Sequence, residues 1–351
     1  MDMTLLQTKN RLVGLALITI LLGACKNTET TEPEKTYPTA YELSVPLGFP
    51  KPQLSKDNPL TVEGIQMGKM FYADPILSTN GRTCTSCHQP ENSFSSPMFT
   101  SWTGVKISVP PHVNLAFKKH YNWEGSQMSL DTLAMGDFEP EFFNTNPDLL
   151  FKNLSEHPIY PTLFKQAFGV NNVYDLSYHE LKKTIAKSIA QYLRTKISVD
   201  SKFDKYRRKE VLLNQMEYEG YVIFFSERGD CFHCHSEPLF SDQEFHNNGL
   251  NTSYTDFDKG RNLVTGKDED MGKFLSPTLR NIELTAPYMH DGRLKTLEDV
   301  INHYNEGVVD EAHVDPLLTK RDGTKKLNLT PIEKLQLVAF LKTLTDLNYI
   351  K

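Results

Sequence analysis

Two pentads of the form Cys-x-x-Cys-His, Cys84-Thr85-Ser86-Cys87-His88 and Cys231-Phe232-His233-Cys234-His235, take four of the five cysteines of this chain. Two thiols three positions apart on one helical turn can each add across a vinyl group of a haem. The adjacent imidazole then lies beneath the iron as its proximal ligand. A chain of this kind has to fold around two covalently attached haem c groups. Cys84, Cys87, His88, Cys231, Cys234 and His235 are the expected attachment residues, with His88 and His235 on the irons. A zinc site would have to gather its four ligands in one place, and it would leave the histidine after each second cysteine unexplained. A thioredoxin-like pair does not need that histidine either.

The fifth cysteine bears on location. Arg11 leads into an apolar run, Leu12 to Leu22, that ends in Leu22-Gly23-Ala24-Cys25. The run is too short to span a bilayer and has the charged, apolar and small-residue zones of a secretory signal. A cysteine directly after the small residues resembles a bacterial lipoprotein box. Residues 1–24 are then a removable signal and Cys25 a lipid anchor; an ordinary signal peptide with a chance cysteine is the plainer alternative. Both imply export, as haem c does, because its thioethers are made outside the bacterial cytoplasm. Lys26 stands where an inner-membrane retention signal would place Asp, which points to the periplasmic side of the outer membrane.

Residues 25–41, rich in Thr, Glu, Lys and Pro, read as a flexible tether. The rest is too long for one small core and suits two cytochrome c-like domains, 42–200 and 201–351, each around one haem. The formal charge is −6, and removal of Asp2, Lys9 and Arg11, which sum to +1, leaves −7. Nucleic acid is therefore not an expected partner.

Secondary structure reads as mainly α, with helices joined by long loops. Ser177-Tyr178-His179-Glu180 is a capping box followed by Leu181, Ile185, Ile189 and Leu193 on one helical face. Thr330-Pro331-Ile332-Glu333 repeats the device ahead of Leu337, Leu341 and Leu344. Met216 to Ser226 reads as a helix closed by Gly229. No stretch shows convincing strand alternation. Loops this long are expected where a cofactor supplies much of the core.

Further blocks flank the pentads. Gly68-Lys69-Met70-Phe71-Tyr72-Ala73-Asp74-Pro75 precedes the first, Asn114 to Gly125 with Trp123 follows it, and Phe225 to Leu250 surrounds the second. Ser276-Pro277-Thr278-Leu279-Arg280-Asn281 then runs on to Thr285-Ala286-Pro287-Tyr288-Met289-His290-Asp291-Gly292. In this order, from about Leu60 to Leu344, the chain resembles the bacterial di-haem cytochrome c peroxidase family, which includes the MauG maturases.

The resemblance implies a peroxidatic N-terminal haem and a C-terminal electron-relay haem. The relay haem's sixth ligand is usually a methionine, and Tyr304 occupies that position here, as in MauG-like members. A phenolate oxygen favours oxidised iron where a soft thioether favours reduced iron; His303 or a water are the alternatives. Members that need reductive activation carry a ligating histidine where this chain has Trp102-Thr103-Gly104. No histidine lies between Gln89 and Pro111, so the first haem is expected to be open to peroxide, with Met98 and His112 as alternative ligands within reach. Leu133 replaces the family's distal glutamine. The catalytic glutamate's place falls near Phe142, which leaves Glu141 or Glu139 as candidate distal acids.

Trp123 matches a tryptophan placed between the haems, and Arg280 an arginine at a haem propionate. Thr285 and Pro287 match carbonyl ligands of an interdomain calcium ion, although Ser108 replaces the asparagine that completes that site. The leading expectation is an exported peroxidase that reduces hydrogen peroxide with electrons from a small cytochrome c, a cupredoxin or a quinol-linked donor. A MauG-like oxidase acting on a partner protein and a non-catalytic electron carrier are the two alternatives.

Overall fold

The computed structural model describes residues 36–102, 105–320 and 322–350. The signal peptide, Cys25 and most of the tether lie outside the described residues, as do Thr103 and Gly104. Ten α-helices appear among the described residues. They are α1 Val62–Ala73, α2 Leu130–Leu133, α3 Pro147–Glu156, α4 Tyr160–Phe168, α5 Tyr178–Arg194, α6 Lys202–Arg207, α7 Gln215–Phe224, α8 Asn262–Thr265, α9 Leu297–Asn302 and α10 Pro331–Lys342.

Two helix pairs organise them, each locked at a glycine. α1 begins at Thr61, whose side chain accepts from the Gly64 N–H, and it crosses α5 where a Cβ on Gly68 would collide with the Ser188 carbonyl. α5 opens with the expected Ser177/Glu180 capping box and buries Leu181, Ile185, Ile189 and Leu193. In the second half α7 crosses α10 in the same manner, Gly220 lying against the Gln336 carbonyl. α10 starts with the expected Thr330/Glu333 box and Pro331 in its first turn. Only glycine allows backbones this close. α7 ends two residues earlier than the sequence suggests, because the chain turns back and the Gly229 N–H reaches the Ile223 carbonyl at 3.1 Å.

Each pair carries its own hydrophobic core. Phe71 of α1 stacks on Tyr160 of α4 at 4.4 Å, in a core that also holds Met67, Leu181, Ile185 and Phe94. Phe203, Phe224, Phe240, Leu337 and Phe340 form the second. The first core's sequence runs from Met67 to Leu193 and the second's from Phe203 to Leu344, and Tyr349 then returns to the first. The junction is pinned by Asp346, whose carboxylate accepts the Val199 and Asp200 N–H groups at 3.0 Å. Both cores belong to one compact unit, Tyr37–Lys351. Within the stretch expected as tether, the Tyr41 N–H donates to the Leu60 carbonyl and Thr39 accepts from Val62, both at 2.9 Å.

The class is mainly helical, but two small sheets depart from the strand-free reading. β1 Ser96–Trp102 pairs antiparallel with β2 Val105–Val109, with an irregularity between Ser96 and Phe99. β3 Phe245–His246 pairs antiparallel with β4 Phe274–Leu275. The irregularity interrupts the period of two that would have marked β1, and two-residue strands are too short to show one.

Candidate haem-binding sites

Each pentad folds as a tight 3-10 turn, Cys84–Ser86 in one half and Cys231–His233 in the other. The histidine N–H reaches back to the first cysteine's carbonyl, His88 to Cys84 at 2.8 Å and His235 to Cys231 at 3.0 Å. Both imidazoles are fixed by one device. The His88 Nδ1 lies 2.9 Å from the Phe94 carbonyl, and the His235 Nδ1 lies 3.1 Å from that of Phe240. A carbonyl only accepts, so Nδ1 carries the proton and the Nε2 lone pair is free for a metal. Phe94 and Phe240 adopt φ of 58° and 53°, a left-handed conformation that bulky residues seldom take and that aims each carbonyl at its histidine. Burial pushes His88 down to about 4 and lowers His235 as well. Neutral imidazoles are what haem iron requires.

The thiols also fit attachment better than the alternatives. Burial raises Cys84 well above its usual value and Cys231 to about 12, the reverse of the depressed thiolate of a redox pair. No disulfide joins the four pentad cysteines. Among the described residues no ligand cluster joins the two pentads, so the four-ligand zinc alternative has no geometry here.

The second pentad faces a cleft with about 1690 Å³ of empty space, counting its open mouth, which Cys231, Cys234, His235 and Tyr304 all line. Tyr304 lies in a π-helical turn, His303–Gly307, that extends α9; such turns often mark functional sites. Burial pushes its phenol up to about 12, against a hydrogen bond from the Asn248 side chain. His246 of β3, on the same cleft, is clamped between Asp315 at 2.6 Å and Asp242 at 2.8 Å. Burial opposes its protonation, but hydrogen bonds to Asp242 and Asp315, with Cys234 beside it, push it up to about 12.

The first pentad has different neighbours. The His112 ring stacks face to face on His88, 3.6 Å between centroids and 20° between planes, and the His112 Nδ1 pairs with the Tyr72 hydroxyl at 3.0 Å. His112 thus lies beside the His88 imidazole with its Nδ1 engaged by Tyr72. The side chain of Met98, the other alternative, lies outside the described residues.

Glu139 and Glu141 both face solvent. The Glu139 side chain is 57% exposed and pairs with Lys182 at 3.4 Å, and Glu141 meets Arg82 through its backbone carbonyl at 2.8 Å. The carboxyl perturbed by burial in this segment is Asp137, pushed up to about 7 and near enough to Cys84, Cys87 and Tyr72 to raise their pKa values. An acid among the apolar residues Leu133 to Phe138 was the available signal, and neither spacing nor motif singled it out. His246 and Asn248 gave no signal of their own.

The Trp123 Nε1 donates to the Ser108 carbonyl at 2.7 Å, and the tryptophan lines the cleft. Arg280 is buried, its fork on Asp204 at 2.9 and 3.0 Å and its Nε on the Pro238 carbonyl at 2.7 Å. Three of the five guanidinium N–H donors are thus taken before any propionate is considered. Thr285, Pro287 and Ser108 come together at the cleft, where the Ser108 hydroxyl donates to the Pro287 carbonyl at 3.3 Å.

Residues 62–211 match the family described as di-haem cytochrome c peroxidase. The chain is 30% identical over 339 residues to the methylamine utilization protein MauG of Methylorubrum extorquens, covering 94% of this chain and 91% of that one. It is 31% identical over 296 residues to the cytochrome c551 peroxidase of Nitrosomonas europaea, covering 82% and 81%. The crystal structure of a MauG-like protein associated with microbial copper homeostasis superposes with a TM-score of 0.78 at 31% identity, over 89% of this chain and 97% of that one. With two pentads, two neutral imidazoles and relatives of this closeness along nearly its whole length, the chain belongs to the di-haem cytochrome c peroxidase and MauG family.

Proposed function

We propose that the chain is an exported di-haem peroxidase that reduces hydrogen peroxide to water at the His88 haem. His235 would hold the second haem, which would supply the electron-relay chemistry, with a small cytochrome c, a cupredoxin or a quinol-linked donor as the source of electrons. The observation that carries this reading is the contrast between the two histidines. His88 has the His112 ring stacked beside it, whereas His235 shares its cleft with the phenol of Tyr304, which would be a second protein donor to a haem held there. When bound, the haems supply the iron that accepts oxidising equivalents from peroxide.

The chain's own residues handle position and protons. His88, held by Phe94, presents Nε2. Asp137, in place of the exposed Glu139 and Glu141, moves a proton from the near oxygen of peroxide to the far one, a task suited to a carboxyl near 7. Trp123, anchored on Ser108, serves as relay between the sites. Arg280 offers its remaining N–H groups to a propionate. A calcium ion on the Thr285 and Pro287 carbonyls would have to displace the Ser108 hydroxyl. Export with a lipid on Cys25 would place the enzyme on the periplasmic side of the outer membrane, and Cys25→Ser should release it from the membrane fraction.

A second reading is oxidation of residues on a partner protein. Tyr304 favours it, because an oxygen donor holds iron in higher oxidation states, and so does the likeness to the MauG-like protein. The resting ferric spectrum and a stopped-flow peroxide titration test the shared core. A high-spin component that reacts with peroxide without prior reduction is expected. A protein that is wholly low-spin and inert to peroxide would instead be an electron carrier. Sustained turnover with a small cytochrome donor separates the peroxidase from the partner-directed oxidase.

A further inference from the structure

Asn248 follows β3 and is engaged at one point by three groups. Its side-chain Nδ2 donates to the Met289 sulfur at 3.2 Å. The same side chain faces the cleft that Met289 and Tyr304 line, and it lowers the Tyr304 phenol as a hydrogen-bond donor does, against the burial that raises it. Its backbone carbonyl lies 3.0 Å from the His303 Nε2, one residue before Tyr304. The loop has little freedom. The buried Asn247 side chain holds the Gly249 N–H at 3.0 Å and the Tyr254 hydroxyl at 2.7 Å, while the Gly249 carbonyl accepts from Val309 at 3.0 Å.

Met289 and Tyr304 both line the cleft of His235. One offers a soft thioether and the other a hard phenol oxygen, and iron accepts either opposite an imidazole. A carboxamide has two N–H donors, enough for one on each candidate. Met289 itself is held at φ 72°, a left-handed turn that fixes where its side chain starts.

We propose that Asn248 is a positioning residue that selects the sixth donor of the second haem, holding the Met289 sulfur aside while it orients the Tyr304 oxygen. The proposal rests on the reading of Tyr304 as that ligand. Replacing the amide by a group that cannot donate frees both side chains at once, and the thioether then competes for the iron. The second haem would shift from imidazole/phenol to imidazole/thioether ligation, with a rise in midpoint potential, because a thioether favours reduced iron.

The test uses the haem-loaded full chain and reads ligation and potential, not turnover. Asn248→Leu is expected to show the near-infrared charge-transfer band of a thioether-bound ferric haem together with a higher potential for the low-spin centre. Both changes should disappear in Asn248→Leu combined with Met289→Leu, whereas Met289→Leu alone should match wild type. Should Asn248→Leu fail to take up haem, Asn248→Asp, similar in shape but an acceptor, carries the same expectation. An Asn248 variant with the wild-type spectrum and potential would overturn the proposal, as would a new band that survives loss of Met289. Tyr304→Phe separates this from the underlying reading. If it leaves the low-spin spectrum unchanged, Tyr304 is not the ligand; if it alters the spectrum while the Asn248 variants do not, only the role of Asn248 falls.

Discussion

In the first half of the molecule α1 and α5 meet at Gly68 and the pentad histidine is tied to Phe94; in the second, α7 and α10 meet at Gly220 and His235 is tied to Phe240. Both phenylalanines are buried and both sit at positive φ. Around this shared frame the surroundings part. His88 has a stacked imidazole beside it and a carboxyl near 7 in the same region. His235 has a phenol, a thioether and an imidazole clamped between two carboxylates around its cleft. The two halves thus share one frame around the pentad histidine and differ in the few side chains that surround it.

The strongest way to break that division is to remove each proximal ligand in turn. His88→Ala should abolish the reaction with peroxide, a loss of three orders of magnitude or more on the scale of removing a residue essential to the chemistry. His235→Ala should leave the first bimolecular step with peroxide close to wild type and slow only reduction by the donor. Stopped-flow traces at the high-spin band measure both. If His235→Ala loses the first step as completely as His88→Ala, the halves do not divide the work as proposed.

Much of this frame was legible in the sequence. The pentads pointed to the haem c family because two thiols followed by an imidazole at this spacing suit that cofactor. The capping boxes at Ser177 and Thr330 placed two of the four framing helices, since the signal is local. The residues that surround the pentads were less visible for a matching reason. Asp137, His112, Asn248 and His246 reach their places through contacts distant in sequence, such as His246 on Asp315 or His112 on Tyr72, and no periodicity records those. Glu139 and Glu141 were singled out by their place relative to a motif, which says nothing of which way a side chain faces. The β1–β2 hairpin was missed because its register breaks between Ser96 and Phe99.

A smaller effect tests whether the two halves are separable units. A Cβ at Gly68 or Gly220 must push apart two helix backbones, and overpacking of this kind costs roughly 1–3 kcal/mol. Gly68→Ala should lower the melting temperature followed at the high-spin band and Gly220→Ala that followed at the low-spin band. Gly136→Ala, whose Cβ would meet nothing within 4 Å, should stay within about 0.5 kcal/mol of wild type. If either crossing variant melts both bands together, the frame is one cooperative unit and not two copies of a device.

The smallest effect lies in the pH dependence of stability and isolates Asp137. Burial raises its carboxyl to about 7, against about 3.9 in the unfolded chain. Between those values the folded protein holds a proton that the unfolded chain has released, so this group's contribution is full below about pH 4 and is lost as pH rises through 7. Asp137→Asn cannot titrate and should be flat over the same window. The difference between wild type and variant cancels every other titrating group that the substitution leaves undisturbed. Allowing for the partial exposure of this side chain, wild type should lose on the order of 1–2 kcal/mol relative to the variant between pH 4.5 and 8. Denaturant unfolding at the two pH values measures it. The sign discriminates: a carboxyl held by a cation would make wild type relatively more stable at high pH, and that outcome would remove Asp137 as the first half's proton carrier. The expected sign, together with a loss of peroxide reactivity of about 10²-fold in Asp137→Asn, would give the first half an acid near Cys84 and Cys87 for which the second half has no counterpart in the role.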